Sequence, residues 1–542
     1  MFDKIRIMKG DDSLFKFMSA DEAVGLIQDG NVIGVNAFLS ISNPTELHLA
    51  LTRRFQKTKS PRNLTVFCSA GFGDWKENSP IEGYIQDGAV SCAILGHLGS
   101  MPTAAKRIGM EEIEGYNLPL GTMSHMIRAA AGGKEFYATR IGLNLFTDPD
   151  VGGYQLNRIS KTDWVSKTKI GGKPYLLYKT PEIDIAFIKG TSSDALGNIS
   201  FEKECATVDA LALAQAVHRR GGKVIVQVER VISNHLRPRN VIVPGILVDA
   251  IVVCSNQSQL VSVHGYEPTY SGDTYIPPQE LSDWAKAKEK NASNLNDPER
   301  LLVASRAFLE LSAGQVANIG IGIPEAVAVV AAKEGLLKDI TLTVESGAIG
   351  GLPASGISFG AASGADTIYD MSQQFDFYDG GGLDICFIGA LEIDALGNVN
   401  GHMSAGRMTG IGGFANITQS TPVVVFCATF SAGGLLIKIE NKDGNGHEKL
   451  KIVTEGKYPK FVQNVRSVSF SAKNAQESGQ KVLYITERCV FQLTGAGLML
   501  TEIVDGIDLK RDILDRLPFD VLISPDLKTI PAKLVGDKEE FK

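Results

Sequence analysis

Read only for hydrophobic and polar positions, the chain states one theme twice: a helix with one apolar face, a short apolar strand, then another helix. Ser19-Ala20-Asp21-Glu22 has the spacing of a capping box and opens a helix over Ala23, Val24, Leu26 and Ile27. Gly30 closes it, a strand runs through Val32, Ile33 and Val35, and Pro44 starts the next helix. In the second half Asp297-Pro298 opens a helix with apolar positions 301, 304, 308 and 311, one face at helical spacing. Gly314, 284 residues after the corresponding Gly30, closes that helix, the strand Val316 to Ile319 follows, and Pro324 starts the next helix.

A second echo is longer. DIAFIKGTSSDALGNISFE from Asp184 matches DICFIGALEIDALGNVNGH from Asp384 at an offset of 200. Each copy reads as a buried strand and then a tight turn in which Gly and Asn accept positive φ. The repeated Asp194 and Asp394 are therefore turn residues rather than a carboxylate pair. The two offsets differ by 84, so the first half carries about that many extra residues before Asp184. The stretch 265–297 is polar, holds Pro277-Pro278 and has no sustained apolar period, which makes it a linker. The expected fold is α/β: two homologous α/β domains with largely parallel sheets, residues 1–264 and 298–542, with a site where they face each other.

Composition narrows the function. A chain of 542 residues with 44% hydrophobic and 21% charged residues is an ordinary globular protein of more than one domain. Its net charge of −7 argues against nucleic acid or an anionic membrane surface as main partner. The seven cysteines are widely spaced with no CxxC, as buried free thiols in a reducing compartment would be. The opening MFDKIRIMKGDDS has no apolar signal core, and no apolar run approaches a membrane span, so a cytoplasmic enzyme is expected.

The chemistry concentrates in ITLTVESGAIGGLPASG, residues 340–356. A strand through Ile340, Leu342 and Val344 ends on Glu345, and Gly347, Gly350 and Gly351 follow. In open α/β sheets the ligand crevice lies outside the carboxyl ends of the strands. Glycines let a substrate approach the backbone and leave N–H groups free for negative oxygen. Glu345 is the candidate nucleophile.

Around it, V-E-S-G-A-I-G-G (344–351), D-G-G-G-L-D (379–384), G-I-G-G-F (410–414), F-S-A-G-G-L (430–435) and T-E-R-C-V-F (486–491) resemble the class I coenzyme A transferases. The likeness is to the acetate and propionate branch, with both halves fused in one chain, and it spans nearly the whole sequence. It implies an acyl-CoA:carboxylate CoA-transferase working by ping-pong chemistry through a glutamyl-CoA thioester on Glu345. Its partners are then an acyl-CoA and a free carboxylic acid. CoA is substrate and covalent intermediate, and no metal or other cofactor is required. A homo-oligomer, often a tetramer, is implied as well. Gly410, Gly412, Gly413 and Gly347 become candidates for oxyanion and CoA binding, and the 347–351 loop for the N–H donors that keep Glu345 ionised.

Several positions depart from the family pattern. Val35-Asn36-Ala37-Phe38-Leu39 replaces a glycine-rich loop, Leu98 stands where an indole is usual, Leu120 replaces a Gln, and Asn400-Gly401-His402 replaces N-V-S. Leu98, Leu120 and His402 are the candidate acyl-pocket residues, and they suggest an acid larger than acetate, such as an aryl-propenoate. His97 and His125 read as structural histidines. Four alternatives stand beside this reading: an acetate/propionate enzyme, an acyl-CoA hydrolase using the same glutamate, a non-catalytic acyl-CoA sensor, and a nucleotide-dependent oxidoreductase. The last lacks a G-x-G-x-x-G opening a βαβ unit, since Gly320-Ile321-Gly322 runs into Pro324.

Overall fold

The computed structural model describes residues 15–263, 265–289, 297–404, 407–441 and 448–532. The opening segment 1–14, the end 533–542 and residues 290–296 of the expected linker lie outside them. Two sheets carry the chain, one of eight strands and one of ten. The first contains β1 (Val32–Val35), β2 (Leu64–Cys68), β3 (Ile185–Lys189), β4 (Lys223–Val228) and β5 (Ala250–Val253), in the spatial order β2-β1-β3-β4-β5. The second contains β6 (Val316–Ile319), β7 (Thr341–Thr343), β8 (Ile385–Gly389), β9 (Val423–Cys427) and β10 (Lys481–Ile485), in the order β7-β6-β8-β9-β10. Every neighbouring pair within each set of five is parallel. The two halves thus share one strand order, and the expected α/β fold with largely parallel sheets holds.

The duplicated motif explains the agreement. Asp184 accepts a hydrogen bond from the Val32 N–H at 2.9 Å, and Asp384 accepts one from Val316 at 2.8 Å, so each aspartate pins the start of the strand beside it. Asp194 and Asp394 each accept from the N–H two and four residues on and from the Asn side chain of D-A-L-G-N, closing the same turn twice. Strand β3 is buried along its whole length, as a parallel strand covered on both faces must be.

The halves differ at their edges. The first extends its sheet by parallel strands Val90–Leu95 and Glu114–Asn117 and adds helix α1 (Leu120–Ala131) and a separate three-stranded sheet. The second packs α2 (Met371–Asp379) against α1, extends its sheet by antiparallel strands over Cys489–Val504 and ends in the strand Leu522–Ile530, parallel to its neighbour. The capping box at Ser19 forms, but the α-helix there is only Ala20–Ala23 and continues as a 3-10 turn over Val24–Leu26. The junction is more than a tether. Ile276 and Leu281 are buried in the core of the second half, and Trp284 packs against that core from helix Leu281–Glu289. All seven cysteines are free thiols, five of them buried. Among the described residues no helix is long and apolar enough to cross a membrane.

Candidate active site

Glu345 stands two residues beyond the end of β7. The loop behind it folds back on its own strand: Gly347 donates its N–H to the Val344 carbonyl at 3.0 Å, and Gly350 donates to Leu342 at 2.8 Å. Gly347 has φ +126, and a Cβ there would lie 2.0 Å from the Tyr369 carbonyl oxygen. Strand pairing sets Val32 beside Thr65 and Val316 beside Thr341, so the first-half residue in register with Glu345 is Ser69. Ser69 donates to the buried Asp209 at 2.7 Å. Only the second half therefore presents a carboxylate at this strand end.

Loops of the first half close over that carboxylate. Leu98 and Gly99 donate their N–H groups to the Thr409 carbonyl at 2.8 and 2.9 Å. Gly412 donates to Gly96 at 2.8 Å, and its own carbonyl accepts from Leu120 at 2.9 Å. Asn117 ties the joint: its amide donates to the Leu95 and Gly96 carbonyls at 2.7 and 2.8 Å, and its oxygen accepts from Ile411 at 2.9 Å. The approach is close enough to require glycine. A Cβ on Gly410 would sit 2.8 Å from the His97 Cα, and one on Gly413 would sit 2.9 Å from Glu345 Oε1.

The result is a cavity of about 680 Å³ lined by both halves, with Glu345 on its wall. Phe38, Leu39, Trp75, Leu120 and Phe359 give it an apolar, largely aromatic side. The Phe38 and Phe359 ring centroids are 6.2 Å apart, and the Ser346 hydroxyl beside Glu345 donates to Gly360, which fixes that side next to the carboxylate. Loops that follow β6, β8 and β9 add to the lining, with Gly320, Gly322, Ala390, Gly433 and Gly434 among them. They lie one to three strands along the sheet from β7, out to roughly 14 Å at the usual strand spacing. The cations of the cavity are Arg300 and Lys460, and the Lys460 ammonium reaches the Ala390 carbonyl just beyond β8.

Burial pushes the Glu345 carboxyl up to about 7. No side chain or N–H among the described residues hydrogen-bonds it. The 347–351 loop, expected to supply such donors, directs the Gly347 and Gly350 N–H groups back to its own strand. Gly347 is thus a turn residue and not an oxyanion donor. The Gly412 N–H is likewise committed, to Gly96. Gly410 and Gly413 line the cavity with N–H groups that have no acceptor among the described residues, and Gly413 faces Glu345 closely enough that any Cβ there would meet the carboxylate.

Of the acyl-pocket candidates only Leu120 reaches the cavity. Leu98 is fully buried in the first-half core with Phe72, Met101 and Ala104, because its side chain turns away from the loop whose N–H it contributes. His402 is also a core residue: its Nδ1 lies 2.7 Å from the Ser469 hydroxyl, its ring packs on Phe146 at 4.5 Å, and burial pushes it down to about 4. His97 lines the cavity, held neutral by burial at about 4, and its Nδ1 accepts from the Ser100 N–H at 3.4 Å. His125 lies apart from the cavity, at the α1–α2 contact, 3.6 Å from Asp376. Sequence reasoning missed Trp75, Phe359, Arg300 and Lys460, which no motif marks. Phe38 and Leu39 lie in the first-half loop that departs from the glycine-rich pattern, a departure that does not by itself assign them to the pocket.

Residues 17–254 match the family described as coenzyme A transferase. The chain is 40% identical over 524 residues to acetate CoA-transferase YdiF of Escherichia coli O157:H7, covering 96% of this chain and 95% of that protein. It is 38% identical over 531 residues to caffeate CoA-transferase of Acetobacterium woodii, covering 96% and 98%. The crystal structure of the YdiF apoenzyme superposes with a TM-score of 0.87 over 98% of this chain and 97% of that one, at 38% identity. A YdiF structure titled as a thioester complex with CoA gives 0.86 over 97% and 96%.

Proposed function

The chain belongs to the coenzyme A transferase family and moves CoA from an acyl-CoA to a carboxylate, and from that premise we propose that Glu345 is the residue on which CoA is carried. A carboxylate oxygen of Glu345 attacks the thioester carbonyl, the C–S bond breaks, and a mixed anhydride and CoA thiolate result. The thiolate attacks the Glu345 carbonyl, the anhydride C–O bond breaks, and the first acid leaves as a carboxylate. Glutamyl-CoA remains, and a second acid runs the sequence backward. No proton is consumed and thioester energy is conserved, so the scheme calls on no resident cofactor. The single observation that carries this reading is Glu345 at a strand end, on the wall of a cavity lined by both halves.

The elevated carboxyl serves the scheme. A carboxylate held out of water, with no donor spending its lone pairs, meets the thioester poorly solvated and strongly nucleophilic. The Gly413 and Gly410 N–H groups are the donors proposed for the tetrahedral intermediates, where one well-placed donor is worth about 10²–10³ in rate. The wall of Phe38, Trp75, Phe359 and Leu120 supports an acyl group larger than acetate, of the aryl-propenoate kind. The relative named for caffeate lends this further support. A cytoplasmic homo-tetramer completes the proposal on family likeness.

The test is direct. Enzyme incubated with acyl-CoA and no acceptor should gain the mass of CoA less water on the peptide containing Glu345, and borohydride should then inactivate it. Glu345→Ala should show neither adduct nor transfer while remaining folded. Near-normal turnover in that variant would sink the mechanism.

A further inference from the structure

T-E-R-C-V-F is a motif the scheme above leaves without a task. Glu487 and Arg488 within it are both fully buried. Arg488 Nε donates to Glu487 Oε1 at 2.7 Å, and its Nη1 donates to Glu455 Oε1 at 2.9 Å and to the Asp512 carbonyl at 3.0 Å. A buried ion cluster of this kind is a poor source of stability, since desolvation offsets most of the attraction. Its geometry has a direction, however. The guanidinium lies over the Phe430 ring at 4.5 Å, and Glu487 Oε2 accepts the Phe430 N–H at 2.7 Å. Ser431 donates to Glu455 at 3.2 Å and accepts from the Gly456 N–H at 3.0 Å. The Phe430 and Ser431 contacts tie this cluster to the F-S-A-G-G-L loop, whose Ser431–Leu435 stretch lines the cavity.

Lys460 stands on the same wall. Its N–H donates to the Phe430 carbonyl at 3.3 Å, and its ammonium donates to the Ala390 carbonyl at 2.7 Å. Arg300 lines the cavity close enough to repel it, while Glu487 acts from behind as the favourable charge. Arg300 has its own partner in Asp297 at 3.3 Å. The other acids on the cavity wall are Glu299 and Glu345. Two like charges lining one cavity near each other, beside glycine loops, are costly in the empty protein and suited to a phosphate.

Resting on the reading of this cavity as the CoA site, we propose that Lys460 and Arg300 grip a phosphate of the CoA moiety, and that Glu487 and Arg488 are positioning residues that aim Lys460 and hold its wall. CoA then lies with its thiol toward Glu345 and its phosphates across the loops after β8 and β9. In a ping-pong cycle the incoming acid meets an enzyme to which CoA is already bonded. Contacts to CoA therefore weigh on the first half-reaction and largely cancel in the second.

The experiment uses the full-length enzyme and desulfo-CoA, which cannot form a thioester, as titrant in calorimetry. Lys460→Met should weaken desulfo-CoA about tenfold or more and lower kcat/KM for acyl-CoA equally, with kcat/KM for the acid changed by less than about threefold. Lys460→Arg should recover part of the loss. Repeating the titration with dephospho-CoA identifies the phosphate: a Lys460→Met penalty that persists places the contact on the pyrophosphate, and one that vanishes places it on the 3′-phosphate. Binding by the wild type should fall as pH rises through about 8, where the burial-lowered ammonium of Lys460 loses its proton. Glu487→Gln should move that fall to lower pH, a change that mere loosening of the fold would not produce. Desulfo-CoA affinity unchanged by Lys460→Met, or equal losses toward acyl-CoA and acid, would overturn the assignment. The Glu345 adduct, measured separately on the wild type, keeps that failure distinct from failure of the mechanism.

Discussion

Glu345→Gln keeps the shape of the side chain and removes only its charge, so it isolates what an ionised carboxyl costs in this cavity. In the unfolded chain the group titrates at its ordinary value near 4.5, and in the folded protein burial raises it to about 7. Between those values the folded state binds the proton more tightly, so stability is lost as pH rises through this window and the loss is complete above about 7. Raising a carboxyl from 4.5 to about 7, at 1.36 kcal/mol per pH unit, corresponds to roughly 3 kcal/mol as an upper bound. Because part of the side chain faces the cavity, solvent screening reduces this to about 1–3 kcal/mol. The second half is of a size at which 1 kcal/mol moves Tm by about 2–4 °C. Glu345→Gln should therefore melt several degrees above the wild type at pH 8, with the gap closing toward pH 4.5. Other titrating groups are common to both proteins, so the difference curve reports Glu345 alone. In the active enzyme the same ionisation should make kcat/KM for acyl-CoA rise with pH up to about 7, before deprotonation of Lys460 near 8 turns it down again. A gap independent of pH, or a wild type more stable than the Gln variant at pH 8, would refute the reasoning.

Gly413→Ala places a methyl 2.9 Å from Glu345 Oε1 and should lower kcat by about 10²-fold with the far-ultraviolet circular dichroism unchanged. Leu98→Trp overfills the first-half core and should lower stability by about 1–3 kcal/mol while leaving the order of acid preference untouched, read by melting and by a panel of acids. Trp75→Leu removes part of the aromatic side and should cost aryl acids about tenfold in kcat/KM while sparing acetate, and equal losses for both would place the acyl group elsewhere. Glu345→Asp should be severely impaired, because a carboxylate drawn back by one methylene misses the attack geometry.

The sequence exposed what is local or repeated. The Asp184 and Asp384 copies are legible because one physical task, pinning the start of the neighbouring strand, left the same residues in both halves. Glu345 is legible because a charge ending an apolar strand before a run of glycines has few structural uses. Side-chain direction is not local. Leu98 belongs to a loop that helps close the site, yet its side chain enters the core, and the neighbouring His97 lines the cavity instead. His402 was singled out for its chemistry, but Ser469 and Phe146, 67 and 256 residues away in the chain, decide its environment. The Gly347 expectation failed for a related reason: a glycine-rich loop offers N–H groups only if its own strand does not take them. Lys460 and Arg300 meet only after the chain has folded, from segments that carry no shared signature.

The bonds that run from Gly96, Leu98, Asn117 and Leu120 to Thr409, Ile411 and Gly412 make the cavity a joint between two folding units. Were those units separate polypeptides, the site would assemble in a second-order step and dissolve on dilution. Their covalent union replaces that step with a local concentration on the order of millimolar. Specific activity per chain should thus hold as the protein is diluted. Proteolytic nicking within 265–297 would restore the dependence and turn a one-chain enzyme into an obligate pair.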